Sequence, residues 1–226
     1  MSNVFANLDW SILTDALLSI IPALICITFH ELSHGFVALK LGDTTAKDMG
    51  RLTLNPIKHI DIWGLIMMAL FGFGWAKPVP VNPNNFKRPK RDMAITALAG
   101  PVSNILLAVV FSVLTAIVAM ALGNFDSVRG FVLSLMLRMV VLSIGLAVFN
   151  MIPIPPLDGS KVLFAFLPDK AYAQLMRVER FGFIILFVIL RTNVLDSTIG
   201  AATRWIMNLM YGIINLLLTL FTTIFG

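Results

Sequence analysis

Residues 12–41 read ILTDALLSIIPALICITFHELSHGFVALKL, and the reading of this run decides the fold. Apart from Asp15 it is largely apolar until His30, and it exceeds the roughly 20 residues that cross a bilayer. It stops at Gly42-Asp43, a helix-ending pair. A span bearing His30-Glu31-Leu32-Ser33-His34 is no ordinary lipid-facing helix, because ionisable groups inside a membrane are costly and are kept for function. The spacing i, i+4 projects both imidazoles from one helix face toward one point, as in zinc-binding H-E-x-x-H helices. Glu31 falls on the flank of that face. It is poorly placed as a further ligand there, but well placed to hold a water and take its proton. The bland alternative is that these groups only satisfy contacts between helices.

The rest of the chain calls for the same apolar solvent. Of 226 residues 58% are hydrophobic and only 13% charged, with a mean hydropathy of +0.89, far beyond an ordinary soluble domain. The net charge of +5 does not point to nucleic acid, since Lys and Arg sit mostly between the apolar runs. Met1 to Trp10 contains no Lys or Arg, and the first run leads into the charged motif instead of a small-residue cleavage site. No cleavable signal peptide is expected. Cys26 is the sole cysteine, so no internal disulfide can form. It lies one turn before His30 on the same face, where burial as a small hydrophobe is commoner than ligation.

Further apolar runs predict spans over residues 95–122 and 131–152, then a closing hairpin from residues 181–190 and 199–225. Residues 62–73, with Gly64 and Gly72, are too short to span and read as a re-entrant or interfacial segment. The expected fold is an all-α polytopic membrane protein of about five spanning helices plus that segment. A short β element is expected beside the motif, because GRLTLN at residues 50–55 alternates apolar and polar. Residues 1–159 read as a membrane core, and residues 160–226 as an amphipathic linker with a C-terminal transmembrane hairpin.

Charge sets the orientation. Residues 42–92 hold Lys47, Arg51, Lys58, Lys77, Lys87, Arg88, Lys90 and Arg91, and residues 160–180 hold Lys161, Lys170, Arg177 and Arg180. Both stretches should face the cytoplasm. The N-terminus is then outside, and His30, about eleven residues before Leu41, lies about 16 Å from the inner end of its helix.

A catalytic zinc needs three protein ligands and one open position, so one ligand must come from elsewhere. A metzincin would place Gly and then His downstream, where Val37 and Lys40 stand, and that class is excluded. Glu179 sits between Arg177 and Arg180 at a predicted membrane boundary. His59 lies in a basic loop with Lys58 and Asp61, where a solvated histidine is the simpler reading. Asp158 is the strongest candidate, in the proline-locked turn Asn150-Met151-Ile152-Pro153-Ile154-Pro155-Pro156-Leu157-Asp158-Gly159. Its alternative is an ordinary turn aspartate before glycine.

Together, His30-Glu31-x-x-His34-Gly35 and Leu157-Asp158-Gly159 resemble the site-2 protease family of intramembrane metalloproteases, in a compact form without a PDZ or CBS domain. Gly50-Arg51-Leu52-Thr53-Leu54-Asn55-Pro56, residues 74–83 (GWAKPVPVNP) and Ala99-Gly100-Pro101-Val102-Ser103-Asn104 also resemble segments of its bacterial and archaeal members. The resemblance spans roughly residues 25–159. It implies one zinc ion on His30, His34 and Asp158, with Glu31 as the catalytic base. It also implies substrate contacts at Asn104, or a helix-to-helix hydrogen bond, and at Asn150, or a cap on its own span.

The implied reaction is hydrolysis of a peptide bond in or near a transmembrane segment, in a multi-pass protein of a bacterial or archaeal plasma membrane. The site would lie inside the membrane toward the cytoplasm. A substrate helix must unwind before attack, because its carbonyls are bonded internally, and residues 50–55 could pair with the unwound strand. Two rivals come from other classes: a catalytically idle membrane chaperone, and a small transporter using His30, Glu31 and His34 as an ion relay.

Overall fold

A backbone in lipid has no water to bond, so long apolar runs become long helices that satisfy their own N–H and C=O groups. The computed structural model describes residues 10–71, 75–121, 126–178, 181–192 and 194–225. Its helices are α1 (Trp10–Lys40), α2 (Thr45–Asp48), α3 (Ile62–Phe71), α4 (Pro89–Ala121), α5 (Asp126–Asn150), α6 (Asp158–Ala165), α7 (Asp169–Val178), α8 (Gly182–Arg191) and α9 (Asp196–Phe225). Among the described residues, four of these, α1, α4, α5 and α9, are long and apolar enough to cross a membrane.

The all-α expectation holds, with two differences in detail. About five spans were expected, but the run at residues 181–190 forms only the ten residues of α8, about 15 Å of helix against a hydrocarbon core of about 30 Å. The β element is absent: among the described residues there is no strand. Residues 50–55 bond locally instead, Thr53 N–H to the Arg51 carbonyl and Asn55 N–H to Thr53 Oγ1. No neighbouring strand lies alongside to take the groups a ladder would use.

The expected re-entrant segment becomes α3, with Asp61 Oδ1 accepting from the Gly64 N–H at 2.9 Å. Gly64 packs directly onto the backbone of Trp75, leaving no room for a Cβ. Trp75 thus lies beside the first turn of α3, while residues 72 and 73 of the expected segment are outside the described residues.

Packing centres on α4, which touches α1, α5, α6 and α9. Its fully buried Ala108, Ser112 and Ala116 recur every fourth residue, a stripe of small side chains that lets neighbouring helices approach. Cys26, Leu107 and Met139 close one side of it; Val140, Ile144 and Met210 close the other. Cys26 Sγ lies 3.1 Å from Ser143 Oγ within that packing. Outward, α4 presents Val102, Leu106 and Val110, while Asn104, Ser112 and Thr115 are buried. This is the reverse of a helix in water, and it identifies the surrounding solvent as lipid.

Candidate metal centre

Three segments far apart in sequence meet at one point. The i, i+4 face of α1 brings His30 and His34 inward, and the turn after α5 delivers Asp158 to the first position of α6. His30 Nε2 lies 3.1 Å and His34 Nε2 3.2 Å from the same oxygen, Asp158 Oδ2. One donor atom from each residue lies within 4.8 Å of the others, and all three residues are buried.

Proton placement shows what this point requires. His34 Nδ1 donates to the Thr96 carbonyl at 2.7 Å, so in the neutral ring Nε2 is bare and faces a carboxylate oxygen. Two lone pairs at that distance repel unless a cation lies between them. Ligands held about 2.0–2.1 Å from a tetrahedral zinc stand about 3.3 Å apart, close to the two spacings between the imidazoles and Asp158 Oδ2. Two imidazoles and one carboxylate, with one side open, also match the donor set of a catalytic zinc. The floor is equally specific. A Cβ on Gly100 would sit 2.5 Å from His34 Nε2 and 2.6 Å from His30 Nε2, so a side chain there would fill the space between the donors.

Asn104 stands behind His30, fully buried, with its amide 3.0 Å from His30 Nδ1. Were His30 Nε2 to hold a cation, Nδ1 would bear the proton and call for the amide's carbonyl oxygen, the atom that the amide orientation in the structure leaves without a partner.

Glu31 lies beside the three donors on the wall of a cavity of about 460 Å³, with Asn150, Pro156, Lys161 and residues 78–81. The Val79 N–H donates to Glu31 Oε2 at 2.7 Å. Val79 lies between Pro78 and Pro80, which have no N–H, so its own is the only backbone donor in that triad. Its loop is tied down on both sides: Arg51 Nη2 donates to the Lys77 carbonyl, and Asn82 N–H donates to Asp43 Oδ2. On Asp158, the remaining oxygen Oδ1 lies 4.0 Å from Lys161 Nζ.

The other sequence candidates fall elsewhere. Asn150 lines the cavity and also donates to the Leu146 carbonyl in the last turn of α5. His59 is not a solvated loop residue; it is buried, 3.0 Å from the Thr53 carbonyl, and outside the donor cluster. Cys26 is also outside the cluster, and Glu179 lies outside the described residues. The Thr96 carbonyl, the Val79 N–H, Gly100 and Asp43 were not foreseen. Val79 alone had a local signal, in its flanking prolines.

A lipid-embedded bundle enclosing two imidazoles, a carboxylate and an adjacent glutamate defines a class, the zinc metalloproteases of membranes. Comparison with known proteins gives the family. The model of Peptidase family M50 matches residues 112–192. The "Putative zinc metalloprotease YwhC" of Bacillus subtilis (strain 168) is 39% identical over 174 residues, 76% of this chain and 80% of that protein. The "Putative zinc metalloprotease Rip2" of Mycolicibacterium smegmatis is 30% identical over 83% of this chain and 69% of its own length. A "Putative zinc metalloprotease" of the archaeon Methanocaldococcus jannaschii is 35% identical over 71% and 75%. No solved structure matches the chain. The chain belongs to Peptidase family M50, the site-2 protease family.

Proposed function

We propose that the chain hydrolyses peptide bonds within or next to transmembrane segments of other membrane proteins, holding one zinc ion on His30, His34 and Asp158 and using Glu31 as general base. The observation that supports this most is the convergence of His30 Nε2 and His34 Nε2 on Asp158 Oδ2 beside Glu31. Zinc, when bound, supplies Lewis-acid activation of water and of the scissile carbonyl.

The chain's own groups do the rest. Val79 N–H holds one oxygen of Glu31, leaving the other to take a proton from water in the cavity and pass it to the departing amine. Asn104 fixes the ring of His30 from behind; full burial suits it to positioning better than to substrate contact. Asn150, on the cavity wall, is the better candidate for a substrate carbonyl. The enclosing helices keep bulk water out, and a substrate must present an unwound segment, since helical carbonyls are already bonded. The basic stretches leading into α4 and following α5 favour a cytoplasmic opening in a plasma membrane.

The test is cleavage of a model transmembrane substrate by purified protein of measured zinc content, wild type against Glu31→Gln. The reading predicts zinc in both proteins and a loss of cleavage of about 10²–10⁴-fold in the variant. Zinc-loaded wild type that cuts no membrane substrate would overturn it in favour of an idle chaperone; metal-free protein that moves ions, in favour of a transporter.

A further inference from the structure

Away from the metal centre, the start of α4 combines charge and apolar surface. Lys87-Arg88-Pro89-Lys90-Arg91 puts four cations at the end of a span. Two carboxylates face them. Asp169 lies 2.9 Å from Lys90 Nζ, which also donates to the Leu167 carbonyl. Buried Asp92 accepts the Arg88 backbone N–H and lies 3.8 Å from Arg91 Nε. Lys90 is thus neutralised, whereas the exposed guanidinium of Arg88 has no ion pair among the described residues and that of Arg91 has only a long one.

These arginines rim a groove of about 780 Å³ between α4 and α6, whose walls turn apolar at Ile95, Leu98, Val162 and Phe166. Phe166 is 83% exposed, unusual for a ring in water and ordinary for one in lipid. Leu98 also lines a second groove of about 620 Å³, which continues along α4 as far as Leu106. From Arg91 to Leu106 the helix rises about 22 Å, more than the roughly 15 Å depth of one leaflet.

We propose that this track binds one anionic phospholipid, its phosphate on Arg88 and Arg91 and an acyl chain along α4 past Leu98. Planar guanidinium groups suit a phosphate, and a continuous apolar path leading from them suits a chain attached to it. A soluble anion would have no use for that path, and an uncharged helix none for the arginines. Because α6 begins with Asp158, the lipid also backs the helix that bears one of the three donors.

Native mass spectrometry of the full chain in neutral detergent tests this, with phosphatidylglycerol or phosphatidylcholine of matched acyl chains. Wild type should retain the anionic lipid about tenfold or more over the zwitterionic one. Arg88→Gln with Arg91→Gln should abolish the preference while zinc content stays unchanged, and Leu98→Trp, which obstructs the track, should weaken retention of both lipids. Equal retention by wild type overturns the proposal. So does a preference that survives the double substitution, or displacement of the lipid by excess inorganic phosphate, which would mark a plain anion site. Should the double variant not fold, the wild-type comparison and Leu98→Trp still decide.

Discussion

Asp43 and Asp158 are both buried aspartates at the edge of a helical bundle, yet their surroundings differ in kind. Asp43 is filled with donors: Oδ1 accepts the Thr45 N–H and hydroxyl and the Asn85 amide, and Oδ2 accepts the Asn82 N–H. Burial pushes its carboxyl up, but those hydrogen bonds outweigh burial and hold it below the ordinary carboxylate range. Asp158 Oδ2 faces two imidazole nitrogens, one with its ring proton committed to Thr96. A carboxylate saturated by N–H and O–H groups is a clamp. One that faces a bare nitrogen has the makings of a site for a cation, and burial alone does not tell the two apart.

The contrast breaks most visibly at Asp158 itself. Asp158→Ala should lower zinc affinity, measured by chelator competition, by more than about a hundredfold, beyond the cost of losing an outer partner, and abolish cleavage. Zinc retained at wild-type affinity would remove Asp158 from the centre. Gly100→Ala comes next. Its methyl group enters the space between the donors, and at about 1–3 kcal/mol of overpacking zinc affinity should fall up to about a hundredfold. Normal metal binding there would mean that the donors converge elsewhere.

Asn104→Ala should be milder, about tenfold in zinc affinity, the usual cost of losing a partner behind a ligating histidine; Asn104→Asp, which keeps an acceptor, should recover part of it. The smallest effect on the metal belongs to Asp43. Asp43→Ala should leave zinc stoichiometry intact while costing about 2–3 kcal/mol of stability, read by thermal unfolding in detergent. Since the folded carboxyl titrates lower than the unfolded one, its stabilisation is complete above about pH 4 and is lost as the pH falls through the folded value. Asp43→Asn should therefore lose less stability on acidification than wild type. An equal loss would mean that other carboxylates set the acid limit.

Much of this was legible from residue types, because membrane solvent leaves so few options. His30, Glu31 and His34 are conspicuous where charge is rare, and the proline-locked turn singled out Asp158 before any fold was known. Backbone groups were invisible by nature. The Thr96 carbonyl and the Val79 N–H exist at almost any residue, and only the tertiary fold decides which of them meets an imidazole or a carboxylate. The alternation at residues 50–55 suggested a strand, but a strand is a property of two segments and the second is missing. His59 looked solvated beside Lys58 and Asp61, yet it is buried and bonded to the carbonyl of Thr53, six positions earlier. Residues 181–190 were apolar enough for a span and too few to make one.

His30 and Asp158 are 128 positions apart, which gives the centre a place in time as well as in space. At about 5–20 residues per second, the ribosome makes Asp158 roughly 6–25 s after His30, by which time the segments forming α1, α4 and α5 have all been synthesised. Until then two imidazoles alone cannot complete the centre. The three donors therefore come together only once α1, α4 and α5 exist, while α9, which packs against α4 and α5, has still to be made.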